Sequence, residues 1–412
     1  MRIVGAAGVL LVAGSVIAAP PAAAFGVSVH EGVLTEAWSF VPSGVMADIK
    51  DEHLQADTAS SLDSAVHFDG CDFSGGTARI RSEYSSAVAE LNPSSPDPWQ
   101  ATDDLGFLSH PVMDLYAHSN WVELGSTGII DTGLGSWRTL PAWTTVSGDV
   151  VAVQGESIPT GWRATLPSGS KVPALTRPDG TPARGLITGT FGPDDCPDAI
   201  DLGHGDLNKD SSDRAGFTQA RGLAVRQLRQ EWCRTLNLLN SRYGPAGTSL
   251  PMTLWVRPGA SPHPTGTACA PASGGTVRVQ VSVTSLRVND DTDPFGSGEL
   301  NFGLSLYSGT FQRSTRSTSG PFSISSGSNV SSGRLPATLS LCMAATDRVV
   351  IGLHGWDDDE AGVGANGLYQ SGDELLRGGT FSASSPAAAV GSRTISGGEL
   401  RAQLSVTATS GC

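Results

Sequence analysis

A chain of 412 residues is long enough for two or three domains, and one with 16% charged residues and 51 Gly is sparsely charged and loop-rich. Its formal net charge of −14 excludes a non-specific electrostatic grip on nucleic acid. It leaves open chemistry on a phosphodiester, because bound metal ions would supply positive charge locally.

Residues 1–24 read as a secretory signal peptide. Arg2 is a minimal positive start, Ile3 to Ala18 are apolar, and Ala22-Ala23-Ala24 meets the small-residue rule for cleavage. The apolar run is short for a membrane span and ends at Pro20-Pro21, which favours removal. No later run approaches roughly 18 apolar residues, so the expected product is secreted and has no transmembrane segment. Cys71, Cys196, Cys233, Cys269, Cys342 and Cys412 form an even set, which suits disulfides in an exported chain. None stands in a C-x-x-C pair, so a thiolate zinc site is not expected. The domain division below favours pairing within the first three and within the last three. Each group is odd, so at least one bridge crosses between them or two cysteines stay free.

Cleavage after Ala24 would make Phe25 the first residue and His30 the sixth. Ser28 is a candidate helix cap, with Val29, Val33, Leu34 and Trp38 at helical spacing behind it. A free amino terminus and a nearby His can both bind one zinc ion, because an uncharged amine is a good nitrogen ligand. Val45 to Ser60 also reads as helix, with Ile49, Leu54 and Ala56 toward a core and His53 and Asp57 one turn apart. His67 and Asp69 follow, and residues 75–91 give another amphipathic helix.

After the loop from Pro93 to Pro98 comes the stretch that organises the chain. His110, Asp114 and His118 fall at i, i+4 and i+8, one turn apart on a single helix face. The residues between them, Val112, Met113, Leu115, Tyr116 and Ala117, are not those of a solvated face. Buried polar groups need partners, and a line of His, Asp and His suits one or more zinc ions. Pro111 should kink this helix or mark its first turn.

Residues 125–197 are rich in Gly, Pro and Thr, with short alternating runs that read as a β-rich insertion. His204, Asp206, Asn208 and Asp210 follow, and Arg214 to Tyr243 reads as the longest helix. Residues 247–275 read as a Pro/Gly/Ser linker. Strict alternation from Thr276 to Val283, and short strands at 300–307 and 348–353, point to a β-sandwich over 276–412. Its two acidic clusters, with Asp290 and Asp293 in one and Asp357 and Asp359 in the other, sit after strands. Loops of this kind suit calcium or are simply solvated turns.

His110-x-x-x-Asp114-x-Tyr116-x-His118-Ser119-Asn120-Trp121-Val122-Glu123 closely resembles a signature of the Het-C heterokaryon-incompatibility family. So do His67-Phe68-Asp69 and His204-Gly205-x-Leu207-Asn208-Lys209-Asp210 before a long helix. The resemblance covers roughly Phe25 to Tyr243. That family is similar to zinc-dependent phospholipase C and to single-strand nucleases that use three zinc ions. The resemblance implies a mainly α-helical metal domain over 25–246. In it the Phe25 amino terminus and His30 bind one zinc, and Asp57, His67 and His110 a second. Asp114 bridges these two, and His118 and His204 hold a third. Asp57 and Asp114 are the implied catalytic carboxylates. The sequence departs from this plan at Phe25, where Trp is common, at Pro111, and at Asn208, where a carboxylate is expected. Asp210 is taken as the substitute, with Asp206 and Asp201 as alternatives.

Other polar residues have plainer readings. His53 is a neighbour of Asp57 rather than a ligand. Asp69 orients His67 or caps the next helix. Trp121 packs the core or stacks on substrate, Glu123 is an acceptor or a helix-end charge, and His263, in the Pro-rich linker, is structural or exposed. The expected function is a secreted, zinc-dependent phosphodiester hydrolase with phospholipid or nucleic acid as substrate and peripheral contact with a membrane. The alternatives are a non-enzymatic effector with structural metals and a calcium-dependent surface-binding protein.

Overall fold

The computed structural model describes residues 26–59, 63–138 except Cys71, Leu140, parts of 144–189, 204–262, Thr267, Cys269, 275–291, 298–357, Tyr369 and 373–412. Phe25, Cys71, Cys196, Asp201, His263, Asp293 and Asp359, all named above, lie outside these residues, as does the signal segment.

Five helices open the described chain: α1 (Val27–Ala37), α2 (Ser43–Ala59), α3 (Ser64–His67), α4 (Phe73–Glu90) and α5 (Pro98–His118). Their starts are set by short acidic caps. Asp63 accepts from the Ala65 amide at 3.0 Å, Asp72 from Gly75 at 2.6 Å, and Asp97 from Gln100 at 3.1 Å, so orphan amides at three helix starts are satisfied. Helix α1 starts differently from the expectation: Gly26 stands at the cap position, and Ser28 lies inside the first turn.

Helix α5 is central, packed by α2, α4 and α7 (Phe217–Tyr243). From Leu105 to His118 only Phe107 escapes full burial, the pattern of a helix covered on every side. Pro98 takes the first-turn position that suits proline. Pro111 is in the interior, where its cost of about 3 kcal/mol is outweighed by packing on all sides. Gly106 makes the closest approach. A Cβ there would sit 2.6 Å from the Ile49 carbonyl, so its absence lets α2 lie against α5.

Beyond α5 a small five-stranded sheet has the order β1-β2-β5-β4-β3, from β1 (Thr144–Val146), β2 (Asp149–Val151), β3 (Arg163–Thr165), β4 (Ala174–Thr176) and β5 (Pro182–Leu186). Asn120 ties it to the end of α5. Its side chain accepts from the Ile187 amide and donates to the Gly185 carbonyl, both at 2.9 Å. A single turn, α6 (His204–Leu207), precedes α7.

The expected linker is not a linker over its first part. Residues Pro245–Leu254 form helix α8, buried from Gly247 to Leu254. The Pro/Gly/Ser composition misleads because Pro245 occupies a first turn, and the small residues allow close docking onto a sheet. Thr248 meets the Tyr307 hydroxyl at 3.0 Å, Ser249 meets His354 Nε2 at 2.7 Å, and Thr253 meets the Ser305 hydroxyl at 2.7 Å.

The remaining strands are β6 (Val277–Val288), β7 (Gly298–Ser308), β8 (Ser314–Ile324), β9 (Leu339–Met343), β10 (Val349–Asp357), β11 (Glu374–Leu376), β12 (Thr380–Ala383), β13 (Gly391–Ser396) and β14 (Leu400–Ser410). They build two antiparallel sheets, β11-β10-β7-β8 with β12 beside β10, and β13-β14-β6-β9. Val279, Val281 and Leu404 of one sheet share a core with Leu304, Ile351 and Leu353 of the other. Among the described residues two disulfides are present, Cys233–Cys269 and Cys342–Cys412. The first joins the two cysteine groups that the sequence separates, because α8 turns the chain back toward α7.

Candidate metal centre

Helix α5 is the spine of the site. His110, Asp114 and His118 are at most 1% exposed, so they need buried partners. Helix α1 supplies His30, α2 supplies His53 and Asp57, and α3 and the turn after it supply His67 and Asp69. The α6 segment supplies His204 and Asp210, and all of these side chains are buried. Three sets offer ligand atoms within 4.8 Å of one another: His30, His53 and His110; Asp57, His67 and His110; and Asp69, His118 and His204. These buried His and Asp groups can hold metal ions.

Hydrogen bonds decide which nitrogen each ring presents. In the middle set, His67 Nδ1 and His110 Nε2 each lie 2.9 Å from Asp114 Oδ2 and 3.0 Å from each other. Two N–H groups that close repel. An N–H on one ring facing a bare nitrogen on the other makes a hydrogen bond; with both nitrogens bare they and the carboxylate oxygen outline one face of a coordination shell, and Asp57 adds a second carboxylate. The other oxygen of Asp114, Oδ1, is 3.5 Å from His30 Nε2 and has no hydrogen-bond partner among the described residues.

In the third set, His118 Nδ1 donates to the His67 carbonyl at 3.0 Å, and its Nε2, bare in the neutral ring, is 3.5 Å from Asp210 Oδ1. His204 Nδ1 donates to Asp69 Oδ1 at 3.1 Å, and its Nε2 faces Asp210 Oδ2 at 3.9 Å. Distance alone groups Asp69 with these two rings. The Asp210 carboxylate faces the Nε2 atoms of both rings, while Asp69 lies against His204 Nδ1. Asn208 Nδ2 is 3.5 Å from His204 Nε2, and Asp206 is exposed.

The buried charges of the cluster are strongly coupled. Burial would raise the Asp114 carboxyl, but His110 and His118 outweigh it and hold it well below the usual carboxylate range. Burial would lower His118, yet Asp114 and Asp69 carry it well above an ordinary histidine. Asp210 is pushed down to about 2 by His118 and His204 against its own desolvation. Burial dominates at His30 and lowers it to about 3, so this ring is neutral. Nitrogen and carboxylate donors without a thiolate suit a borderline divalent ion.

The rest of the sequence signature is a clamp. The buried Lys209 ammonium donates to the Ser119 and Leu207 carbonyls, each at 2.8 Å, and pairs with Glu123 at 3.1 Å. It thereby fastens the His204–Asp210 segment to the end of α5. Trp121 is core, with its indole nitrogen donating to the Gly128 carbonyl at 3.0 Å. Sequence reading left out the neighbour of His110, Ser109. Its hydroxyl donates to the Gly106 carbonyl at 2.6 Å and lies 2.7 Å from His53 Nδ1. The only signal for Ser109 is a small polar residue one position before a ligand. In the β half, Asp290 is exposed after β6 and Asp357 is buried at the end of β10. Among the described residues, the ligand sets lie in the helical half.

Residues 34–137 match the family described as the VWA7 N-terminal domain. That span includes every candidate ligand named above from His53 to His118 and leaves out His30, His204 and Asp210. No curated protein matches the chain. Among solved structures, human GIVD cytosolic phospholipase A2 in complex with methyl gamma-linolenyl fluorophosphonate is 12% identical over 33% of this chain, with a TM-score of 0.23. The chain spans 17% of that structure's length, and a likeness so low carries no argument. Among the described residues, no helix is long and apolar enough to cross a membrane.

Proposed function

We propose that this chain is an exported, metal-dependent hydrolase of phosphodiesters, with a centre that takes up to three divalent ions of the zinc kind. One observation carries the reading. Asp114 offers one oxygen to His67 and His110 and the other to His30, while Asp210 faces the bare nitrogens of His118 and His204. The resemblance to the Het-C family, and through it to zinc phospholipase C and three-zinc nucleases, supports the same reading. Bound ions would supply positive charge against phosphoryl oxygens and acidify a water molecule. The chain's own residues do the rest. Asp69 and the His67 carbonyl hold His204 and His118 in one ring state, and Lys209 holds the segment that carries Asp210. Of the described His and Asp groups clustered around α5, Asp57 and Asp210, at 7% and 8% exposure, reach furthest toward solvent, so substrate approaches on their side.

The test is metal content of the mature chain, followed by hydrolysis of phosphatidylcholine and of single-stranded DNA with zinc restored. Bound ions and turnover of one substrate are expected; a chain free of zinc, or inert on both, overturns the proposal. A second reading rests on burial. Among the described residues, the His and Asp groups that cluster around α5 are at most 8% exposed, as suits metals that only stabilise a fold. His110→Ala and Asp114→Ala variants that fold and keep the biological effect would favour it.

A further inference from the structure

His53 stands behind two candidate ligands without belonging to the carboxylate side of either. Ser109 settles its ring state. The Ser109 hydroxyl proton is committed to the Gly106 carbonyl at 2.6 Å, so its oxygen accepts from His53 Nδ1 at 2.7 Å. His53 Nε2 is therefore bare. Two other nitrogens meet it, His110 Nδ1 at 3.3 Å and His30 Nδ1 in direct contact. His110 turns its Nε2 to Asp114 and His67; with an ion bound on that side its single lone pair is used there and its Nδ1 carries the proton. The same logic holds for His30, whose Nε2 faces Asp114 Oδ1. The single lone pair of His53 Nε2 thus lies between the Nδ1 atoms of two rings and is shared by them.

We propose that His53 is a positioning residue that fixes the ring states of His30 and His110 together and couples the loading of the two metal groups that share Asp114. This rests on the multi-ion reading above and deepens it. His53 holds no ion itself. It keeps two neighbouring ligands aimed at the carboxylate, and loss of its acceptor nitrogen removes the hold that both rings share. The third group, at His118 and His204, is held by Asp69 and the His67 carbonyl and is independent of it.

The test counts ions per chain in the mature protein after dialysis against zinc, with circular dichroism of the chelated protein as the check on folding. His53→Leu is expected to lose two ions together and keep the third. His53→Gln, whose Oε1 can stand where Nε2 accepts, is expected to retain all three. Ser109→Ala weakens both groups in parallel, by about 10- to 100-fold. His53→Cys loaded with cobalt is expected to show no thiolate charge-transfer absorption. The inference is overturned if His53→Leu binds three ions or loses only one, if Gln does no better than Leu, or if the two groups respond separately to Ser109→Ala. A cobalt–thiolate band in His53→Cys would make this residue a ligand and overturn it too. A parent chain that binds no ion overturns the proposed function as well, whereas three ions in both parent and His53→Leu overturn this inference alone.

Discussion

Gly106 of α5 faces the Ile49 carbonyl of α2 with no room for a side chain: a Cβ would come within 2.6 Å of that oxygen. The contact sets how near His53 lies to Ser109 and His110. Gly106→Ala must push α2 away from α5, because backbone cannot yield as a flexible side chain does. The expected loss is about 1–3 kcal/mol of stability. Metal affinity should fall at the groups that use α2 before it falls at His118 and His204. Denaturant melts and metal titrations check both, and an unchanged midpoint would contradict the close approach.

Lys209 gives a second prediction. Its ammonium has three acceptors and almost no contact with water. Lys209→Met keeps the bulk and removes the charge, leaving the Ser119 and Leu207 carbonyls without their donor. A loss on the order of 3 kcal/mol is expected. The ion held near Asp210 should be released more easily than the others, which competition with a chelator would read out.

A third concerns pH, away from the ligands. Burial raises Asp48 and Asp104 to about 6, and neighbouring acids add to each shift. Unfolded, both would titrate near 3.8. The folded state therefore binds more protons between these values, and stability falls as pH rises from about 4 to about 6. Replacing both with Asn should stabilise the protein at pH 7, with the gain vanishing below pH 4. Melting temperatures of parent and double variant across that range test it; a gap that persists in acid would refute the assignment.

The Cys233–Cys269 bridge supports a fourth. It closes 36 residues of sequence around α8. Loop closure of that length corresponds to about 4 kcal/mol in the chain-entropy account. A double Ala variant should lose a comparable amount and expose the 255–269 segment to protease, as limited proteolysis would show.

What could be read in advance follows from where the information lies. The one-turn spacing of His110, Asp114 and His118 is local, so it is visible in the string of residues. Helix α8 was concealed because its small residues gain meaning only against β7 and β10. The role of His53 depends on the proton of Ser109, on another helix and 56 positions away. Asp210 rather than Asp206 faces the rings because α6 is a single turn, after which the chain bends back, and nothing in the composition of 204–210 announces that bend. The disulfide between Cys233 and Cys269 likewise follows from a reversal that α8 imposes.

The hydroxyls of Thr248, Ser249 and Thr253 occupy a dry contact between α8 and the sheet of β7 and β10. An oily contact there could slide by part of a turn at little cost. Three separate polar pairs cannot, since any shift would strand all of them at once. The seam works like a key in a slot: the helical half and the sheets are held at one setting.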